Sequence, residues 1–360
     1  GTNPRGLHHP KLAQYQGPAL YAFNDALFEE DDWKGIRMLS QSVKQQDPFK
    51  VGYFGMGFKS VFHLTDMPSV LSGERLGMID PHQKVFSNTT FSWNIRQQQD
   101  LIRSKHDQFD PYIGTFDCTR DTFSREGYYP GTLFRFPLRR NASALSDNIY
   151  GPERIQRLFD SFEEEAHLTL LFLRHLESIE LYERDERTVR PKFLFRVQIS
   201  DTCLDDVKEK RKDFLQRVKN GRWMDKAIVA TYPVTIETVK KEKSSEVHKT
   251  YTWLVTNYYS GGRASAIFRK LHQDIDLSFP PWVGVAMPVD VKGTSELNEE
   301  DGHVFCFLPL PPDRAVPTGL PVHINGFFAL EQNRKYIKWP NVRQRRDDLM
   351  DKHLLWNQCL

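Results

Sequence analysis

The stretch Gly52-Tyr53-Phe54-Gly55-Met56-Gly57-Phe58 decides the fold, because its three glycines stand directly before a helical pattern. Glycine allows positive φ angles and lets the backbone come close to a ligand. The first turn of a helix presents unpaired N–H groups and the positive end of the helix dipole. A glycine loop that runs into a helix therefore predicts an anion cradle suited to phosphate groups.

Known phosphate-binding patterns place glycines at similar spacing, and two of them do not fit this loop. A Walker A loop needs a lysine directly after its last glycine, whereas Phe58 here separates Gly57 from Lys59. A dinucleotide-binding fingerprint needs a third glycine at the position that Ser60 occupies. The remaining pattern is GxxGxGF. A purely structural turn stays open as the alternative from the glycines alone.

The composition is that of an ordinary globular protein with two domains. The chain has 360 residues, of which 39% are hydrophobic and 27% are charged, and its net charge is +2. A charge this small does not predict a nucleic-acid-binding face, and no apolar run approaches the roughly 20 residues that span a membrane. The four cysteines show no metal-site or disulfide spacing, so they predict reduced thiols in a cytoplasmic protein. The absence of an initiator methionine leads us to expect a fragment of a longer chain.

Hydrophobic periodicity and turn residues predict an alternation of strands and helices. A short strand at Ala19–Phe23 precedes a helix that the acidic residues Glu29–Asp32 open. Pro152 stands at the first position of an amphipathic helix, whose apolar stripe comprises Ile155, Leu158, Phe159, Phe162 and Ala166. Beyond residue 185 we expect another domain, with a charged helix at Leu204–Val218 and a lysine-rich hairpin tip at Lys240–Lys243. Further strands are predicted at Ser69–Leu71, Leu76–Ile79, Gly131–Leu138, Glu177–Tyr182, Phe193–Ile199, Ala227–Val239, Thr250–Tyr258, Trp282–Met287 and His303–Leu310.

Five conspicuous side chains have a structural interpretation that outweighs a catalytic or binding one. His63, Asp66 and His82 are predicted to be polar residues buried with a hydrogen-bond partner. Trp33 and Trp253 are predicted to lie in the core. None of the five is therefore counted among the candidate site residues.

The order of strand, acid-opened helix, polar segment, glycine loop, helix and Gly-Thr strand resembles a known fold. It is the Bergerat, or GHKL, fold that heat-shock protein 90, type II topoisomerases, histidine kinases and mismatch-repair MutL proteins share, in which the polar segment is a lid over ATP. Within it, the chain most resembles the heat-shock-90-like repeats of the sacsin family, the first repeat above all, over about residues 15–340. The motifs that carry this resemblance are Tyr15-Gln16-Gly17-Pro18-Ala19-Leu20, the segment 50–66 around the glycine loop, Asp80-Pro81-His82, Gly131-Thr132-Leu133-Phe134-Arg135 and the segment 319–328 with Asn325-Gly326-Phe327-Phe328.

The resemblance implies an α+β fold, with a two-layer Bergerat sandwich over residues 1–184 and a heat-shock-90-middle-like α/β domain over residues 185–360. It also implies that loop amides hold the triphosphate, that a strand threonine lies beside the adenine, and that an arginine of the second domain reaches the γ-phosphate. These roles map onto Gly52, Phe54, Gly55, Met56, Gly57 and Phe58 for the triphosphate, Thr132 for the adenine and Arg334 for the γ-phosphate. An ordinary strand threonine and a surface arginine remain the alternatives.

Two departures from the family pattern predict a weakened ATP site. Asn24 replaces the aspartate that reads adenine, both glycines of the D-x-G-x-G motif are absent, and Asp25 lies one residue away. Losing a carboxylate acceptor forfeits about 1–3 kcal/mol, which predicts a roughly ten- to hundredfold weaker affinity. The E-x-x-x-N helix with the Mg²⁺ ligand and general base is not recognisable, since Leu20 stands four residues before Asn24. Mg²⁺ binding and hydrolysis are therefore expected only where that helix is supplied.

The resemblance favours a sacsin-type chaperone or co-chaperone module with a weak or incomplete ATP pocket, which acts in protein folding and quality control. Its expected partners are client proteins, other chaperones and the rest of a large multidomain parent chain, without nucleic acid or membrane. The alternative is a degenerate scaffold for protein–protein contacts that binds no nucleotide. A true ATPase or kinase of the wider superfamily is disfavoured, because no dimerisation helix with a phospho-accepting histidine is evident.

Overall fold

The computed structural model describes residues 6–37, 56–185, 191–221, 226–261, 266, 268–270, 279–289, 302–310, 317–330 and 337. These residues form a mixed α and β structure that contains two sheets, which agrees with the predicted class. Among them, no helix combines the length and the apolar character that crossing a membrane requires.

Five strands build the first sheet: β1 Ala19–Asn24, β2 Ser69–Gly73, β3 Arg75–Ile79, β4 Thr90–Asn94 and β5 Tyr129–Pro137. Every neighbouring pair is antiparallel, in the order β1-β5-β2-β3-β4. Three short helices accompany them, α1 Glu30–Arg37, α2 Met56–Lys59 and α3 Gln99–Ser104. The strand predicted at Gly131–Leu138 is β5, which is an interior strand of the sheet. Three of the acidic residues in the predicted helix start, Glu30, Asp31 and Asp32, lie in the first turn of α1.

The two faces of this sheet differ, because successive side chains along a strand alternate between them. Leu133 of β5 belongs to a buried hydrophobic core on one face. Its neighbour Phe134 points to the opposite face, where the Phe58 ring of α2 lies 6.3 Å from it, centroid to centroid. Trp33 of α1 packs on that second face over Gly77, where a Cβ atom would lie 2.8 Å from the indole. The second face is therefore the one that α1 and α2 approach.

Eight strands build the second sheet, in the order β12-β11-β13-β10-β9-β8-β7-β6. Their bounds are β6 Ser178–Glu183, β7 Lys192–Ile199, β8 Ile228–Glu242, β9 Ser245–Tyr259, β10 Trp282–Pro288, β11 Val304–Cys306, β12 Leu308–Pro309 and β13 His323–Gly326. The pairing of β11 with β13 is parallel, and the other pairings are antiparallel. The described chain also contains two long helices, α4 Pro152–Thr169 and α5 Leu204–Asn220.

The lysine-rich segment lies at a hairpin tip, as predicted. Strands β8 and β9 pair from Ile228 opposite Tyr259 to Glu242 opposite Ser245. Lys243 in the turn has a φ of 31°, a left-handed conformation that suits a tight connection. The tip is exposed to solvent, which accounts for its charge without a binding role.

The core of the second sheet lies on the face that α5 covers. Val207, Phe214 and Val218 form the buried stripe of this otherwise charged helix. Trp253 of β9 is buried in the same region, and Trp33 is buried in the first sheet's layer, so both tryptophans have the predicted core positions.

Two sequence predictions in this region were wrong in part. Along α4 the predicted apolar stripe is only half buried, because Ala166 is inaccessible while Leu158 remains 45% exposed. The strand predicted at Glu177–Tyr182 exists as β6, but it pairs with β7 at the edge of the eight-stranded sheet and not with the strands of the first sheet that precede it in the chain. Periodicity shows that a segment is amphipathic, whereas its neighbours in space depend on chain topology.

Close contacts divide the described chain into two compact units. The first contains the residues up to Leu158 together with Arg184, Asp185 and Pro191, and the second contains Phe159–Glu183 and the residues from Lys192 onward. The domain boundary predicted between residues 184 and 185 stays a prediction.

Candidate functional site

The two residues predicted to contact adenine lie side by side at the paired ends of β1 and β5. Asn24 is the last residue of β1 and stands opposite Thr132 in the antiparallel register. Gly131 permits this close pairing, because a Cβ atom there would lie 2.7 Å from the Phe23 ring and 2.9 Å from the backbone oxygen of Asn24. The glycine of the Gly-Thr pair thus has a packing role at the strand ends.

Hydroxyl groups connect these strand ends to the chain that follows β1. The Thr132 hydroxyl donates its one hydrogen to the backbone oxygen of Ala26 at 2.7 Å. Its bond with Ser72 Oγ, at 2.9 Å, must therefore use the serine hydrogen. Ser72 Oγ in turn accepts from the backbone N–H of Phe28 at 2.9 Å. The result is a continuous chain of hydrogen bonds from Phe28 through Ser72 and Thr132 to Ala26.

Asn24 also serves the turn that follows its strand. Its Oδ1 accepts from the backbone N–H of Ala26 at 3.2 Å, the pattern by which asparagine stabilises a local turn. Both backbone groups of Ala26 are thus bonded to predicted site residues. Asp25, the other candidate at this end, is exposed. Thr132 has no solvent-accessible surface, so it is covered in this conformation.

Aromatic rings cover the same sheet face beside the strand ends. The Phe28 ring lies 5.2 Å from Trp33 and 5.7 Å from Phe134, each in an edge-on arrangement. Phe58 contacts Phe134 from α2. Edge-on aromatic pairs add roughly 0.5–1.5 kcal/mol beyond the area they bury, so Phe28 helps to hold residues 25–28 against the sheet.

The described residues include only part of the predicted phosphate cradle. Gly52, Phe54, Gly55 and Arg334 lie outside the described residues. Met56 and Gly57 begin α2, and Phe58 is half-buried within it. A 3₁₀ turn at Ser60–His63 continues α2. The helix predicted directly after the glycines is therefore present, and their contacts with a nucleotide stay a prediction.

Arg139 closes the C-terminal end of the helical segment that begins with α2. Its guanidinium donates to the backbone oxygens of Phe62, His63 and Thr65 at 2.6, 3.0 and 3.2 Å. Its Nε donates to Asp66 Oδ1 at 2.8 Å. One side chain thus satisfies several carbonyls that a helix end leaves unpaired. No sequence pattern predicts this role, because Arg139 lies more than 70 positions away from Asp66 along the chain.

The polar residues predicted to be buried have different outcomes. Asp66 is mostly buried and accepts from Arg139 and from Ser143 Oγ at 2.8 Å, so its structural interpretation is confirmed. The predictions for His63 and His82 were wrong, because both side chains are exposed. Each lies at a turn, where the backbone makes the hydrogen bonds and the side chain points to solvent.

Comparison with known proteins decides the family. A sequence model of the sacsin domain matches residues 2–196, more than half of the chain. The chain belongs to the sacsin domain family. Sacsin from Homo sapiens is 40% identical to it over 361 residues, a match that covers 97% of this chain and 8% of human sacsin. The predicted resemblance to the sacsin family is thereby confirmed, and this sacsin-family chain spans only a small part of its relative's length.

A cavity of about 270 Å³ opens on the same sheet face of the sacsin-family chain. Trp33 and Ile36 of α1 form one side, and Val70, Gly77 and Ile79 of the sheet form the floor. Its volume is close to the lower limit of small-molecule sites. None of the predicted site residues that the structure describes lines it, so the predicted adenine contacts and this cavity are separate features.

One group of described side chains has the composition of a metal site. His106, Asp107 and Asp110 each offer a ligand atom, and these atoms lie within 4.8 Å of one another. His106 Nδ1 already lies 2.8 Å from an Asp107 carboxylate oxygen, and Arg120 lies 3.5 Å from Asp110. Each of the three side chains already has a polar partner without an ion, so we assign the group no role.

Proposed function

We propose that this chain is a sacsin-type, heat-shock-90-like chaperone or co-chaperone module with a weak adenine-nucleotide pocket, acting in protein quality control in the cytoplasm. The observation that carries the proposal is the pairing of Asn24 with Thr132 at the strand ends, on the sheet face that α2 approaches through Phe58. That juxtaposition is what a glycine loop and an adenine-reading strand end require in order to serve one nucleotide. Client proteins and other chaperones are the proposed partners.

The architecture supports a Bergerat sandwich followed by a heat-shock-90-middle-like domain as the finer fold. In the first unit an antiparallel sheet carries short helices on the face that holds Thr132. In the second unit the long helix α5 covers one face of a larger sheet. Membership of the sacsin family, through a match that includes the whole first sheet, supports the same interpretation.

Two features of the strand ends explain why we propose weak binding. Asn24 offers a neutral oxygen in place of a carboxylate, and that oxygen is already bonded to Ala26. The Thr132 hydroxyl is covered and bonded on both sides. ATP is therefore the proposed ligand at low affinity, and Mg²⁺ is proposed to bind only where a Glu/Asn helix is supplied.

Replacing Gly55 with leucine tests the proposed phosphate cradle. We expect ADP and ATP to bind the intact chain and the Gly55→Leu chain to bind them at least roughly tenfold more weakly, because the side chain occupies the space of the phosphates. Isothermal calorimetry measures both affinities, and circular dichroism checks that the fold persists. The matched control is Gly151→Leu, since a Cβ atom at that exposed glycine meets nothing within 4 Å. Equal binding by Gly55→Leu and Gly151→Leu would contradict the assignment of the glycine loop as a phosphate cradle. No nucleotide binding by the unmutated chain would favour the scaffold alternative.

Replacing Asn24 with aspartate is expected to strengthen nucleotide binding. The carboxylate keeps an oxygen where Asn24 Oδ1 accepts from Ala26, so the turn is retained, and it adds a charge-assisted bond to the adenine amine. We expect ADP affinity to rise roughly tenfold. Calorimetry of Asn24→Asp beside the control Asn141→Asp, the same change at an exposed asparagine away from the strand ends, gives the comparison. An affinity that stays unchanged would separate Asn24 from the adenine position.

A further inference from the structure

We infer that Ser72 and Thr132 form a hydroxyl latch that holds residues 25–28 closed over the adenine end of the site. The latch is the hydrogen-bond chain from the Phe28 N–H through Ser72 and Thr132 to the Ala26 oxygen. The inference that the latch controls nucleotide access rests on the proposed function. The inference that it holds residues 25–28 against the sheet rests only on these hydrogen bonds.

The latch joins three strands at one point. β1 ends at Asn24, β5 contributes Thr132, and β2 contributes Ser72 from the far side of β5. To reach Ser72, the chain after Asn24 must pass over β5 at Thr132, and Thr132 has no accessible surface in this arrangement. The segment therefore occupies the space from which a ligand would approach the threonine hydroxyl.

Every hydrogen of the latch is used once. Phe28 donates its amide hydrogen, Ser72 donates its hydroxyl hydrogen to Thr132, and Thr132 donates to the Ala26 oxygen. All donors point the same way along the chain, the arrangement in which successive hydrogen bonds polarise and strengthen one another. Ser72 is 3% exposed, so water does not compete readily for its bonds.

A ligand that accepts a hydrogen bond from the Thr132 hydroxyl must take the place of the Ala26 oxygen. In the closed state Thr132 has already donated its only hydrogen. Release of residues 25–28 would free that hydroxyl and expose it. The observed affinity then equals the intrinsic affinity multiplied by the fraction of molecules in which the segment is released.

Ser72→Ala opens the latch with the smallest change, because it removes the acceptor of Phe28 and the donor to Thr132 together. We expect hydrogen exchange at the Phe28 amide of the intact chain to become about tenfold faster, the range that the loss of one neutral bond produces. The control is Ser92→Ala, an exposed serine of β4 in the same sheet. Ser72→Cys, nearly the same shape with a weaker bond, gives an intermediate rate and guards against misfolding of the alanine variant.

Titration of ADP into the same variants separates the two hypotheses. Faster exchange in Ser72→Ala together with several-fold tighter ADP binding supports the latch as a gate on the nucleotide. Faster exchange with no nucleotide binding in any variant keeps the latch and refutes the proposed pocket. Exchange at Phe28 that matches the Ser92→Ala control, or ADP binding that is unchanged or weaker once exchange has risen, overturns the inference.

Discussion

Replacing Arg139 with methionine is expected to lower the free energy of unfolding of the first unit by about 3–5 kcal/mol, the usual effect of breaking a buried ion pair. Arg139 is 6% exposed, and it pairs with Asp66 while bonding the carbonyls at the end of the segment that begins with α2. Methionine fills much of the volume but leaves those oxygens without donors. Hydrogen exchange at the β5 amides of the intact chain measures the loss.

Two further variants show which property of Arg139 matters. Arg140→Met removes the next arginine, which is exposed, and should change stability by less than about 0.5 kcal/mol. Arg139→Lys keeps the charge but loses the planar fork that reaches several acceptors, so we expect an intermediate loss. Equal stability of Arg139→Met and Arg140→Met would show that the network does not stabilise the fold.

The second large effect is a loss of stability of the second unit in mild acid. Burial lowers the pKa of His323 to about 4, with the nearby His303 and His167 adding to the shift. Burial likewise lowers the pKa of His167 to about 4, with Lys249 acting in the same direction. Geometry supports the neutral form, since His323 Nδ1 accepts from the His303 backbone N–H and cannot do so once protonated.

The direction of the pH dependence follows from these depressed values. Between pH 6.5 and about 4 the unfolded chain binds more protons than the folded one. Stability is therefore constant above about pH 7 and falls as the pH decreases through this window. At pH 5 each histidine should account for a loss of about 2 kcal/mol. Glu165 opposes the trend, because burial raises the pKa of its carboxyl group.

Variants that cannot titrate isolate the two histidines. His323→Asn keeps an acceptor for the His303 N–H, and His167→Phe keeps a ring on Tyr251, which stacks on His167 at 4.2 Å. Urea unfolding at pH 7.5 and pH 5 should show a smaller acid-induced loss in each variant. His248→Asn, a change at an exposed hairpin histidine, should retain the full loss. If the unmutated chain has the same free energy of unfolding at pH 7.5 and pH 5, the argument that burial lowers the pKa of these histidines is refuted.

Together, the latch and the neutral side chain of Asn24 lead us to propose a nucleotide site that is held in a closed, low-affinity state. Asn24 lacks the charge that would strengthen binding, and Thr132 is occupied by Ala26. The Asn24→Asp and Ser72→Ala variants alter one hydrogen-bond network, since Asn24 and Thr132 both bond Ala26 and Thr132 also bonds Ser72, so a double-mutant cycle on ADP affinity should show coupling between them.

Local chemistry made several features predictable from the sequence. Pro152 begins α4 because a proline at the first helical position gives up no hydrogen bond. The charged stretch Lys240–Lys243 lies at a hairpin tip because buried lysines would need partners. The motif residues 50–58 led to the sacsin family, which the sequence comparisons then confirmed.

Other features depended on residues far apart in the chain, and the sequence misjudged or missed them. Leu158 lies on the apolar stripe of α4 yet is exposed, because a stripe does not specify what packs against it. Asp66 was placed correctly, whereas its partner Arg139 went unnoticed. Ser72 falls just outside the strand predicted at Ser69–Leu71, and no local pattern marks it, since its contacts with Phe28 and Thr132 span 44 and 60 positions.

The sequence by itself determined the family, the mixed α and β class, most strands and helices, and the pairing of a neutral Asn24 with a Gly-Thr strand as the candidate adenine contacts. These properties depend on residue type, spacing and local backbone preference. Only the tertiary structure decided that Thr132 is covered, that Ser72 connects it to Phe28, and that Arg139 closes the segment that begins with α2. The physical reason is that a hydrogen bond between distant residues depends on their positions in space, and no local pattern of residues encodes those positions.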